Sequence, residues 1–167
     1  MKRRIGLDFA KEHGVELQAF LYEAALHGYG SEGNVNDTES DDGGTKIVYE
    51  RGDWRYSDKY FGGEPFSGLT VIRYKGIACF TMTYWGKVMG MRAYKEKVYD
   101  CLQSALMCVR PEHPWRGLNG FVSEHGLCYA NIWHGDINEF SGQEKVADLN
   151  DNCLYKASYH GGIVNTF

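Results

Sequence analysis

The chain has 167 residues, enough for one ordinary domain or two small fused halves, and carries a net charge of -4. Hydrophobic residues make up 43% and aromatics 14%, which excludes a disordered tail and suits a core built from strands. Lys and Arg form no basic stripe along the sequence, which argues against direct nucleic-acid binding, and no apolar run is long enough to span a bilayer.

Met1-Lys2-Arg3-Arg4 is basic, but no apolar segment follows it. No signal peptide is therefore expected, and the cytoplasm is the expected compartment. The five cysteines are odd in number and form no CxxC pair, which reads as buried free thiols under reducing conditions. Glu16 to His27 reads as a helix, with Leu17, Phe20, Leu21 and Ala24 on one apolar face. Gly28 and Gly30 should stop it, and Gly14 should limit its other end. Residues 31–44 form an acidic loop, either a solvated connection or a lid over a pocket.

Thr45 to Arg51 and Trp54 to Tyr60 read as strands joined at Gly52-Asp53. Leu69 to Tyr74 and Ile77 to Trp85 form a hairpin around Lys75-Gly76. Both of its faces are apolar, so it should be central and covered on both sides. Arg92 to Val109 is the second helix, with Tyr94, Val98, Cys101, Leu102, Ala105 and Val109 as its buried stripe. Pro111 and Pro114 end it. Gly120 to Glu124, Leu127 to Trp133, Glu144 to Asp148 and Cys153 to His160 read as the remaining strands.

The chain writes one pattern twice. Phe66-Ser67-Gly68 leads through a hairpin to Tyr84-Trp85-Gly86, and Phe140-Ser141-Gly142 leads through another to Tyr159-His160-Gly161. The second copy has one extra residue, which fits in the turn. Upstream, Tyr56-Ser57-Asp58-Lys59-Tyr60 is echoed by Tyr129-Ala130-Asn131-Ile132-Trp133. The expected fold is α+β: one domain of two duplicated halves, about 15–90 and 92–162, each a helix followed by an antiparallel meander. The halves should relate by a pseudo-twofold axis, with a ligand cleft between them. Phe66 should fall on Phe140, and both should be buried.

The stretch Tyr60-Phe61-Gly62-Gly63-Glu64-Pro65-Phe66-Ser67-Gly68, with Tyr74-Lys75-Gly76 and Tyr84-Trp85-Gly86, resembles an uncharacterised prokaryotic domain family. Gly135-Asp136, Phe140-Ser141-Gly142-Gln143-Glu144 and Tyr159-His160-Gly161-Gly162 resemble the same family. In some relatives the domain follows a repressor-type helix-turn-helix, and the resemblance therefore implies a sensor role. Residues 1–44 hold one clear helix and no such motif, so DNA binding does not carry over. The resemblance brings no catalytic residues.

No phosphate loop, Gly-x-Ser-x-Gly or His-Glu-x-x-His occurs, and no cofactor is expected. Tyr60, Tyr84, Trp133 and Tyr159 occupy matched places in the two halves and are expected to line an aromatic ligand site. Glu64 or Glu144 would hold a cationic or hydroxylated group there. On β alternation, Tyr84 and Tyr159 face inward, while Trp85 and His160 turn away. His134, Asp136 and His160 form an alternative, metal-binding set. The leading function is a non-enzymatic small-molecule-binding or sensor domain. A metal-dependent or hydrolytic enzyme and a protein-interaction module are the alternatives. A small ligand and a second copy of the chain are the partners to expect.

Overall fold

The computed structural model describes residues 6–30, 38–39, 41–89 and 94–164. Helix α1 (Gly6–Gly30) leads into β1 (Thr38–Glu39), β2 (Thr45–Arg51), β3 (Trp54–Phe61), β4 (Phe66–Tyr74) and β5 (Ile77–Val88). Helix α2 (Lys95–Met107) follows, then β6 (Phe121–Val122), β7 (Cys128–Asp136), β8 (Glu139–Ala147) and β9 (Cys153–Ile163). The strands form one antiparallel sheet in the order β1-β2-β3-β4-β5-β9-β8-β7-β6. The fold is mixed α+β and mostly strand. Two meanders meet where β5 pairs with β9, and Tyr84 lies directly opposite Tyr159 at that seam.

Helix α1 packs on β2 and β3, α2 packs on β7 and β8, and the helices touch each other. Both therefore cover the same face. One core cluster joins Leu17, Phe20 and Ala24 of α1 to Trp54, Tyr56, Ile72 and Phe80 of the sheet. The other joins Val98, Cys101, Leu102 and Ala105 of α2 to Tyr129, Val146 and Tyr155. Among the described residues the opposite face carries no helix, and Leu69 and Trp85 stand exposed on it. Within the described residues the β4–β5 hairpin is thus central but covered on one side only. Its apolar outer residues reflect the β propensity of Thr, Val and Trp rather than burial.

Turn chemistry explains the hairpins. Lys75 and Gly76 both take positive φ, 51° and 79°, giving the tight two-residue turn whose twist matches the strands. The five-residue β8–β9 loop is organised by the Asp148 carboxylate, which accepts the Asn150 and Asn152 amides.

Helix α1 is longer than its spacing predicts and runs through Gly14. A glycine inside a helix costs about 1 kcal/mol. Phe9, one turn before it, is buried and its ring meets Trp54 and Tyr74, so tertiary packing holds the first turns. Helix α2 is shorter than expected, and Tyr94 is exposed at its start rather than in the buried stripe. Phe140 is buried but Phe66 only half-buried, because Phe66 borders an open cleft. Most of the acidic 31–44 loop, and with it the lid expectation, lies outside the described residues.

The two meanders share a register. Gly68 pairs with Tyr84 and Gly142 with Tyr159, while Phe66 pairs with Gly86 and Phe140 with Gly161. In each meander the tyrosine ring lies over the glycine, where a Cβ would collide with it. Gly68→Ala and Gly142→Ala should therefore each cost about 1–3 kcal/mol by overpacking, measured by urea titration.

Candidate functional site: a cleft between sheet and helix

Alternation places Asp58 and Tyr60 of β3, Phe66 of β4 and Tyr84 of β5 on the covered face. Tyr99, Leu102 and Leu106 of α2 stand over them. Between lies a cleft of about 260 Å³, walled mainly by Ile47, Tyr60, Phe66, Leu102 and Leu106. Its polar groups are Asp58, Tyr84, Tyr99 and Arg116. First-half strands form one wall and the second-half helix the other.

The polar end is built from a buried network. Asp58 is 8% exposed. One carboxylate oxygen accepts the Thr70 hydroxyl at 2.9 Å and the other accepts the Tyr84 hydroxyl at 2.8 Å. Burial holds its pKa above the ordinary 3.8, although the Tyr84 and Thr70 hydroxyls and the Arg116 charge pull it down. Arg116 reaches in from the segment after α2, its guanidinium carbon 5.9 Å from the centre of the Tyr84 ring.

Glu144 holds Arg116. Nε donates to one carboxylate oxygen at 3.1 Å and a terminal nitrogen to the other. The Tyr129 and Tyr155 hydroxyls also donate to Glu144, at 2.7 and 2.9 Å. Burial pushes both phenols well above their ordinary range. Glu144 and Arg116 thus neutralise each other. They and Asp58 are the charged side chains in the described core, leaving Asp58 as the carboxylate without a cation hydrogen-bonded to it.

The residues expected from the sequence divide. Tyr60 and Tyr84 line the cleft. Glu64 stands at its rim, where its carboxylate accepts the Tyr99 hydroxyl and the Val88 amide. Glu144 lies behind the cleft, committed to Arg116 and two tyrosines. Tyr159 is buried there too, its hydroxyl donated to Asn131 at 2.8 Å. Trp133 lies apart, 4.6 Å from the His113 ring, in a separate hollow beyond β8. Tyr84 and Tyr159 point inward, and Trp85 and His160 point outward.

The alternative metal set does not assemble. His134 and His160 are separated across the sheet by Ser141, two strand spacings or about 10 Å. The Asp136 carboxylate is taken by the Asn138 backbone and side-chain amides, which hold its pKa low. Among the described residues no three His, Cys, Asp or Glu side chains come together to hold a metal ion.

Residues 58–164 match the family described as a domain of unknown function, DUF5680. The chain belongs to that family. No curated protein and no solved structure matches the chain. The matched DUF5680 region contains every polar group of the cleft and the Arg116–Glu144 pair, and starts at Asp58 itself. No helix of the described residues is long and apolar enough to cross a membrane.

Sequence reasoning missed Asp58, Tyr99 and Arg116. A signal for Asp58 was present: an acid at an inward position between Tyr56 and Tyr60, aligned in the echo with an uncharged Asn131. Arg116 carried none, since only the fold shows its irregular segment turning inward against Glu144.

Proposed function

We propose that the domain is a non-enzymatic binding or sensor module whose cleft takes a small, largely apolar molecule bearing one protonated amine. The observation carrying this reading is Asp58, a nine-tenths-buried carboxylate at the polar end of an apolar cleft. Each Asp58 oxygen accepts one hydrogen bond and has capacity for another, so a ligand ammonium can add to Tyr84 and Thr70 without displacing them. Burying a carboxylate with no cation hydrogen-bonded to it is costly, and a bound cation would offset that cost. Tyr60, Phe66 and Leu102 would cover the ligand's apolar body.

We read the two meanders as a duplication in which one copy keeps a vacancy and the other is filled. Several matched features support it. Asp58 and Asn131 each accept the hydroxyl of the equivalent tyrosine, Tyr84 and Tyr159. The register shifts of the two hairpins fall at Ile72/Arg73 and Val146/Ala147, and Gly62 and Gly135 both take positive φ before the next strand. In the second copy Asn131 also donates to the Gly117 carbonyl at 3.0 Å, and Trp115 stacks on Phe140. On this reading the segment 115–117 takes the ground that corresponds to the cleft of the first copy.

Asp58→Asn is the decisive variant, because Asn131 shows that an amide oxygen can accept the tyrosine hydroxyl in this setting. With a folded pKa above the unfolded value, the native state binds the Asp58 proton more tightly. Parent stability should therefore fall as pH rises from about 4 through the folded pKa, and Asp58→Asn should lack that fall. In a thermal-shift screen of small amines, a ligand at a hundred times its Kd adds about 2.7 kcal/mol, or roughly 5–10 °C. The shift should vanish in Asp58→Asn. An amine that stabilises both proteins equally removes Asp58 from the site.

A further inference from the structure

The uncovered face of the sheet gathers charge that the linear sequence disperses. Lys87 of β5, Lys156 of β9 and Lys145 of β8 lie directly opposite one another across three neighbouring strands. Like charges placed opposite in a sheet repel, so this row lowers the stability of the free protein. Lys145 is paired with Asp151 in the β8–β9 loop at 2.8 Å. Lys87 and Lys156 have no carboxylate partner among the described residues.

One row further along, Trp85 lies opposite Ser158, which lies opposite Gln143. Trp85 is 42% exposed and Ile132, beyond Gln143, is 64% exposed. Trp85, Ile132, Gln143, Ser158, Lys145 and Lys156 border an open trough of about 470 Å³. The Lys87 ammonium sits 6.0 Å from the centre of the Trp85 ring. The trough therefore offers an aromatic platform with hydrogen-bonding groups on its floor and cations along one end.

The charge continues beyond it. Lys59 and Lys46 face each other on β3 and β2, and Arg55 faces Arg73 on β3 and β4. Their acidic neighbours, Asp42 at Lys59 and Glu50 at Arg55, form exposed pairs of the weak, exchangeable kind. The chain as a whole is negative, so this face is basic against an acidic remainder.

We propose that the uncovered sheet face binds single-stranded nucleic acid, with a base stacked on Trp85 and phosphates over the Lys87–Lys156–Lys145 row. Charge complementarity and the exposed ring carry the assignment: stacking platforms set in a basic groove suit single strands. An extended polymer laid across the trough also reaches the second group of cations. A duplex, whose bases are stacked internally, gains nothing from Trp85. This site is separate from the covered cleft and does not depend on the reading of Asp58. It runs against the expectation of no direct nucleic-acid contact, which rested on residues adjacent in sequence rather than in the sheet.

The test is fluorescence anisotropy with a labelled 12-residue oligothymidylate, titrated at several salt concentrations, using the full chain. Parent protein should bind, and affinity should fall with salt. Lys87→Gln/Lys145→Gln/Lys156→Gln should lower the slope of log K against log salt by about 2, at about 0.7 per lost phosphate contact on a single strand. Trp85→Leu should weaken binding roughly tenfold and leave the salt slope unchanged. The triple variant should melt no lower than the parent, which separates lost contacts from lost fold. Absence of parent binding, unchanged affinity in both variants, a duplex bound as tightly as the single strand, or thymidine monophosphate bound as tightly as the oligomer would each overturn the proposal.

Discussion

Arg116→Ala is expected to cost about 3–5 kcal/mol, the loss typical when one partner of a buried ion pair is removed. Arg116 is 5% exposed and Glu144 2%, so the surviving carboxylate would be left in the core without its cation. Glu144→Ala should cost at least as much. It strands the guanidinium and also removes the acceptor of the Tyr129 and Tyr155 hydroxyls. Urea titration reads both as a lower midpoint with an unchanged slope. Arg116→Ala combined with Glu144→Ala should cost less than the two single losses added, since the pair leaves together. Additive losses would mean that the two side chains act independently.

Phe140→Ala should cost about 3–5 kcal/mol, and Phe66→Ala roughly half that, although the sequence pattern treats the two as equivalent. Phe140 is 3% exposed, stacked between Phe80 and Trp115 with ring centres at 5.8 and 4.5 Å. Phe66 is half-buried, because one side of it faces the cleft. Truncating Phe140 leaves a cavity that its aromatic neighbours cannot close, whereas the Phe66 site is already open to solvent. Equal losses in denaturant titrations would mean that the cleft is closed in solution.

The strands were legible because their cues are local. Lys75-Gly76 specifies a hairpin by φ alone, and alternation from Phe80 to Tyr84 was enough to turn Tyr84 inward and Trp85 outward. The layer arrangement was less legible. The apolar outer residues Leu69, Val71 and Trp85 look like a second buried face, yet both helices lie on the other side. Gly14 looked like a helix boundary because its cost is local, while the contacts of Phe9 with Trp54 and Tyr74 that outweigh it are distant in sequence. At the site, Tyr60 and Tyr84 were found from pattern. Trp133 was grouped with them by its matched place in the echo, but it borders a separate hollow beyond β8, beside His113 and Gly117. Glu144 was singled out as a ligand carboxylate and is instead consumed by Arg116. No linear signal reveals a pair 28 residues apart that exists only once an irregular segment folds back. The seven outward-facing Lys and Arg side chains escaped notice for a related reason: a period of two scatters them along six strands, and only the sheet order brings them together.

The pKa of the Asp58 carboxyl, followed by carbon-detected NMR in the ligand-free protein, tests the central claim most directly. A buried carboxylate awaiting a cation should titrate above 3.8 and should shift downward when a stabilising amine is added. An Asp58 that titrates at or below 3.8 in the free protein would mean that its charge is already balanced, and the cleft would then have no call for a cationic ligand.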